Sequence, residues 1–432
     1  MKKHLTLLLI LSSAVITWAQ PGNLSQQAQN QASQIEEKMI EWRHDLHQNP
    51  ELSNREFNTA RKIEKHLKSL GIEVQTGVAK TGVIGILKGG QPGPVIGLRA
   101  DMDALPVTER VEIPWASQVT ASYNGIESGV MHACGHDTHV AILMATAEVL
   151  NKMKKDLKGT VKFVFQPAEE GAPPGEEGGA QLMVKEGVLH HPDVDVMIGL
   201  HINASTPVGQ IKYKSGGTMA AADRWVMKIK GKQSHGSRPW TSVDPIVTAA
   251  QIINGMQTVI SRNAELTKEA AVLTVGLIRG GIRNNIIPEE VEMIGTIRTL
   301  DVDMQDKLHE DFRRVAINIG ESMGATVELE ITKQVPVTYN DPELTSTLVP
   351  FISDAIGAEN VVIRKAMTGA EDFSYFANEV PSFFFFVGGC PKGTDPNEAA
   401  PHHTPDFYVD DAGMITGLQS MLAATLGYMY QE

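Results

Sequence analysis

The chain reads as an α/β fold in two parts: a large domain interrupted by a small ferredoxin-like βαββαβ unit. Three observations predict it. Short, continuously apolar runs at 83–87, 95–98, 161–165, 196–200 and 383–387 alternate with helical patterns, as expected of strands covered by helices on both faces. Between about 215 and 334 the order changes to strand, helix, two strands, helix, strand. A length of 432 residues is enough for two separate cores.

Taken in order, 1–19 differ from the rest. Lys2 and Lys3 precede an apolar run over 5–16, and Thr17-Trp18-Ala19 offers small residues for cleavage. This is the pattern of a secretory signal peptide, which leaves Gln20 first; the run is short for a membrane anchor. The expected location is secreted, or periplasmic in a Gram-negative source. After a polar stretch at 23–34, Ile35, Met39, Trp42 and Leu46 fall at helical spacing. Phe57, Ala60, Ile63, Leu67 and Leu70 mark a second helix stopped by Gly71. A further helix is expected over 140–150. The large domain is assigned to 20–214 and 335–432, and the insert to 215–334.

Within the insert, strands are expected at 225–229, 272–278, 291–297 and 327–331. Asp244 precedes Pro245 as the N-cap of one helix. Met304, Leu308, Phe312, Val315 and Ile319 give the second helix its apolar face. Gly216-Gly217 and the turn at 337–342 are the expected hinges.

A net charge of −13 argues against nucleic-acid binding and against attachment to anionic lipid. Apolar residues at 42% and charged residues at 21% are ordinary for a globular chain. Cys134 and Cys390 are the two cysteines. An exported chain could pair them in a disulfide, but Cys134 stands two residues from His136, which favours a thiolate held by metal.

The chemistry is concentrated in MHACGHDTHV (131–140), QPAEEG (166–171) and VMIGLH (196–201). Thiolate, imidazole and carboxylate groups in these segments suit Zn²⁺ or a similar divalent ion. The doubled Glu169-Glu170 lets one carboxylate ligate while its neighbour stays free to move a proton. Asp101 and Asp103 follow the strand at 95–98, and His402 and His403 lie beyond the strand at 383–387. Side chains beyond the carboxyl ends of strands in an open α/β sheet share one crevice. His132 and His139 read as packing or hydrogen-bonded residues, one of His402 and His403 as facing solvent, and Glu176 and Glu177 as solvated. Cys390 reads as a small buried residue.

The segments RADMDALP (99–106), MHACGHD, QPAEEG and GLH resemble the metal-dependent aminoacylase/carboxypeptidase family. The branch they resemble is that of hippurate hydrolases, N-acyl amino acid amidohydrolases and plant auxin-conjugate hydrolases. GKQSHGSRP (231–239), RNNIIP (283–288), GTIR (295–298), MTGAEDF (367–373) and HHTPDF (402–407) extend the likeness over nearly the whole chain. The resemblance implies a metallopeptidase-type catalytic domain with an inserted lid or dimerisation domain. It also implies two divalent ions, among Zn, Mn, Co or Ni, bridged by Cys134 and completed by His136, Glu170, His201 and His403. Glu169 is then the general base that takes a proton from the attacking water and returns it to the leaving amine. Asp103 and Asp101 orient the ligands. His235 bonds the developing oxyanion in its own or a partner subunit's site, and Asn285 and Arg298 hold substrate. A homodimer through the insert follows from the same likeness. The expected activity is hydrolysis of N-acyl amino acids, with a carboxypeptidase or dipeptidase as one alternative and a non-catalytic metal-binding protein as the other. An intact Glu169 speaks against the last, because binding alone needs only the ligands.

Overall fold

The computed structural model describes residues 21–431. The expected signal peptide lies outside the described residues. No helix among the described residues is long and apolar enough to cross a membrane.

The large domain is built on an eight-stranded sheet. From one edge its order is Glu73–Val78, Gly82–Lys88, Lys158–Gln166, Gln91–Asp101, Val196–Pro207, Ser382–Cys390, Ile211–Tyr213 and Val361–Ile363. The four central strands run parallel. Their apolar runs are continuous because both faces are covered. Phe383 and Phe385 enter one core, while Phe384 and Phe386 enter the core on the opposite face.

The helix at the start of the described chain is longer than the pattern suggests. It spans Pro21–Gln48 and includes the Gln- and Asn-rich stretch read as polar. Leu24, Ala28, Ala32, Ile35 and Met39 are all buried at three- or four-residue spacing. Two alanines carry little hydrophobic signal, but they let this helix pack closely on the helices His136–Lys152 and Met414–Tyr430. In the second helix, Phe57–Ser69, the buried positions are Thr59, Ile63 and Leu67, and Phe57 is exposed.

The small domain has the predicted ferredoxin-like order. Its strands Ala271–Gly280, Glu290–Thr299, Ala221–Lys230 and Thr326–Val335 are neighbours in that sequence, all antiparallel. Helices Pro245–Thr258 and Val302–Ser322 share one apolar core with the sheet. Asp244 caps the first by accepting from the Ile246 and Val247 N–H groups, and Asp301 caps the second through Met304 N–H.

Two connections join the domains, and they pair with each other. Gly216–Met219 and Thr338–Asn340 form an antiparallel ribbon, with Gly217 opposite Tyr339. A Cβ at Gly217 would lie 2.0 Å from the Leu300 carbonyl oxygen, so only glycine fits there.

Candidate functional site

The cluster forms where neighbouring central strands part. Pairing between Gln91–Asp101 and Val196–Pro207 stops at Arg99 opposite Gly199. His201 comes two residues later, inside a strand that continues to Pro207 rather than ending at 200 as expected. Asp101 closes one strand, and Glu169-Glu170 follow the end of Lys158–Gln166. This is the crevice beyond the carboxyl ends that an open α/β sheet offers.

Cys134 sits in the turn that opens the helix His136–Lys152, so His136 is the first helical residue rather than lying ahead of the helix. Gly135, the N-cap, has φ +89°, and a Cβ there would meet Ile202 Cγ2 at 2.3 Å. A glycine is therefore needed to bring the thiol and the imidazole onto the same side of the turn.

The hydrogen bonds fix which ring nitrogens face the cluster. His136 Nδ1 donates to the Asp103 carbonyl oxygen at 2.9 Å, leaving Nε2 buried and without a hydrogen-bond partner. His201 Nδ1 donates to the Ile202 carbonyl at 2.5 Å, and its Nε2 lies 3.4 Å from Cys134 Sγ. Each ring thus aims a nitrogen lone pair inward, as metal-binding imidazoles do when a main-chain carbonyl takes the other N–H. His403 Nε2 lies 3.3 Å from Cys134 Sγ and 3.0 Å from Glu170 Oε1. Two triplets, Cys134 with His136 and His201, and Cys134 with Glu170 and His403, share the one sulfur.

His402 does not face solvent. Its Nε2 accepts from Ala204 N–H at 3.2 Å, and Nδ1 points at Cys134 Sγ from 3.6 Å. Burial pulls its pKa down to about 3. The neutral ring with Nε2 accepting must carry its proton on Nδ1, so it presents an N–H to the sulfur rather than a lone pair. His139 is consumed too: Nδ1 bonds Asp101 and Nε2 accepts from Ile202 N–H. The expected packing role for His139 fits this arrangement.

Asp103 ties the cluster together. Its carboxylate accepts from Glu169 N–H at 3.0 Å, Glu170 N–H at 3.1 Å and Ser53 Oγ at 2.7 Å, while its main-chain oxygen holds His136. Asp101 pairs with Arg99 at 2.7 Å. Sequence reading missed this fully buried Arg99, which also binds Gln166, Glu371 and Asp372 at 2.8 to 3.0 Å. The available signal was a lone charge within an otherwise apolar strand. Glu176 was expected to be solvated, but it is held by Arg55, Lys80 and Asn54.

These residues suit metal. Donor atoms bound at roughly 2.0–2.3 Å around a tetrahedral ion lie about 3.3–3.8 Å apart. The Cys134 sulfur meets that spacing with two ring nitrogens, 3.3 Å from His403 Nε2 and 3.4 Å from His201 Nε2. The charge balance also calls for a cation. Burial and the nearby Glu170 and Glu169 push the Cys134 thiol well above its usual range. Burial and then Glu371 and Glu170 push Glu169 well above the carboxylate range. Burial likewise raises Asp372 to about 8, with Arg99 opposing and Glu371 assisting. Arg99 alone does not neutralise this set; divalent ions would.

Beside the cluster is a cavity of about 380 Å³, reached by Glu169 and His201 and walled by Met219, Met367 and Phe386. His235, Asn285 and Arg298 do not line it. His235 is exposed on a short ladder with Ile286–Ile287, its Nδ1 accepting from Ser237 N–H at 3.0 Å. Asn285 lies next to it, accepting from Gly236 N–H through its carbonyl. Arg298 stands opposite Ala222 and Val272 in the small sheet. Within one chain, the expected substrate contacts all lie on the small domain, Arg298 towards the opposite end of its sheet from His235, and none of them lines the cavity.

A buried brace behind the site was also missed. Asp137, next to His136, accepts from His47 Nδ1 at 2.9 Å and Arg43 Nε at 3.1 Å, and His47 Nε2 meets Glu109 at 3.1 Å. Burial works to lower the His47 pKa, but the Asp137 carboxylate outweighs it and raises the value to about 9. Because the folded value lies above the ordinary one near 6.5, protonated His47 stabilises the fold fully below about pH 6.5. That contribution is lost as pH rises through about 9. His47→Gln should therefore cost about 2–3 kcal/mol near pH 6, shrinking towards pH 9.5. Urea unfolding of both proteins across that range checks it; a difference that does not change with pH would contradict it.

Fold and cluster together define a metal-dependent hydrolase of amide bonds. The profile of peptidase family M20/M25/M40 matches residues 97–426, and the chain belongs to that family. It is 38% identical to an N-acetylcysteine deacetylase of Bacillus subtilis over 88% of this chain and 94% of that one. It is also 38% identical to thermostable carboxypeptidase 2 of Saccharolobus solfataricus, over 90% and 95% of the two chains. Among solved structures, the Bacillus subtilis YXEP protein, described as a dinuclear metal binding peptidase from the M20 family, is 35% identical with a TM-score of 0.76. The match covers 92% of this chain and 99% of that one.

Proposed function

We propose that the protein is a dinuclear metal-dependent amidohydrolase that releases the acyl group from N-acyl amino acids. The observation that carries this reading is the single sulfur of Cys134 shared by two donor triplets, with Glu169 outside both. His136 and His201 would hold one ion with Cys134, and Glu170 and His403 the other. Bound there, divalent ions supply Lewis-acid polarisation of the amide carbonyl and ease deprotonation of water.

The remaining chemistry belongs to the chain. Glu169 accepts a proton from the attacking water and passes it to the leaving nitrogen, which needs the carboxylate free of a ligand role. Asp103 fixes its backbone. The His402 N–H directed at Cys134 favours the thiolate over the thiol. Met219, Met367 and Phe386 suit an apolar segment of substrate. Names of relatives support both an acyl-amino-acid and a carboxypeptidase reading. Comparing kcat/KM for matched N-acyl amino acids and free dipeptides separates them: higher values for the acylated set are expected, and the reverse would favour a peptidase.

The same reading makes the protein an exported homodimer whose His235 serves the partner subunit's site. His235 is exposed and does not line its own cavity, which supports that arrangement. Mixing inactive His235→Ala and Glu169→Gln proteins under subunit exchange should restore activity. A monomer by light scattering with no restoration would contradict it.

A further inference from the structure

The turn that carries Glu169 and Glu170 passes through a conformation that side chains resist. Ala168, just before the pair, has φ +51°, in the left-handed region that residues with a Cβ seldom occupy. Three successive main-chain N–H groups show what holds it there. Those of Glu169 and Glu170 go to the Asp103 carboxylate. That of Ala168 goes to Glu56 Oε1 at 2.9 Å.

Glu56 is fully buried and forms no ion pair among the described residues; its other carboxylate oxygen accepts from Thr81 Oγ1 at 2.6 Å. A buried acid without a cation is costly, and its own helix does not require it. Glu56 stands at the N-cap of the helix Phe57–Ser69, yet its side chain makes no capping bond. Glu51 caps that helix instead, its carboxylate accepting from the Asn58 and Thr59 N–H groups at 2.8 Å. The Glu56 side chain is thereby released to reach a segment 112 residues away. Ser53, three residues earlier, makes the matching connection to Asp103 at 2.7 Å. One short connection, 49–56, thus holds the acidic turn through both carboxylates.

Neighbouring side chains on such a turn point in different directions, so its backbone decides which glutamate reaches the ligand set. We propose that Glu56 is a positioning residue for the general base. By holding Ala168 left-handed, it aims the Glu169 carboxylate into the cavity and keeps it from taking a ligand position beside Glu170. The proposal rests on Glu169 being the base.

Glu56→Ala should lower kcat roughly 10- to 100-fold, the scale of a misplaced reacting group, with KM and metal content close to wild type. Glu56→Gln keeps an oxygen for the Ala168 N–H and should recover most of the loss. Thr81→Val breaks the bond on the other carboxylate oxygen, which does not reach the turn. It is the control for stability, and should lower the melting temperature with a much smaller fall in kcat. The decisive comparison is made in Glu169→Gln protein. If Glu56 acts through the base, Glu56→Ala should cost less than about threefold once the base is gone. Three results would each overturn the proposal: wild-type kcat in Glu56→Ala, a kcat that follows the melting temperature alike in Glu56→Ala and Thr81→Val, or the full loss repeated on top of Glu169→Gln. Should Glu56→Ala not fold, Glu56→Met fills the same space without an oxygen acceptor and carries the same comparisons. Glu169→Gln turning over like wild type would instead remove the base reading, a result seen without altering Glu56.

Discussion

Glu169→Gln should lower kcat by roughly 10²–10⁴-fold or more while leaving metal content and fold unchanged. The amide keeps the shape of the carboxylate but cannot accept a proton from water. Both halves of the proposed proton transfer pass through this group, so the loss should reach the upper part of that range. The backbone anchor at Asp103 survives the substitution, because it uses the Glu169 N–H. Glu169 lies outside the two triplets that share the sulfur, but its carboxylate also stands within reach of His136 and Glu170, so metal content is measured together with kcat. Steady-state kinetics with elemental analysis checks the expectation. Near-normal turnover in the variant would mean that another group is the base.

The second large effect is metal removal. Chelation should abolish activity, and Zn²⁺, Mn²⁺, Co²⁺ or Ni²⁺ should restore it, with the best ion setting the highest kcat. Without a cation, the buried thiol and the surrounding carboxylates are driven towards their neutral forms, so the chelated site should also be the less stable one. The cysteines give an independent reading. Cys134 and Cys390 are both free, so denaturation in chelator should expose two titratable thiols, whereas a disulfide would expose none. Full activity in protein shown to be metal-free would contradict the mechanism.

Much of this was legible before any coordinates. The apolar runs located the central strands because strands buried on both faces need no alternation, as the split of Phe383–Phe386 between two cores illustrates. The insert's order was readable from its helical face and from Asp244 before Pro245. The first helix was cut short because Ala28 and Ala32 bury well but signal weakly. At the site, residue types and their positions after strands or before a helix grouped Cys134, His136, Glu169-Glu170, His201, His402 and His403, and the family resemblance, not spacing, chose the five ligands among them. Sequence could not say which imidazole nitrogen faces inward, because that depends on carbonyls and amides such as Asp103 and Ala204 contributed by other segments. For the same reason His402 was read as a bystander. Arg99 stayed hidden because a single charged letter does not reveal that three acids surround it.

The central claim is that one sulfur serves both metal positions, and the number of ions bound per chain in Cys134→Ala tests it most directly. With wild type holding two ions, His201→Ala should lose one. Cys134→Ala should lose or greatly weaken both, by elemental analysis after dialysis against a weak chelator. Two ions retained at wild-type affinity in Cys134→Ala would contradict the shared-sulfur centre.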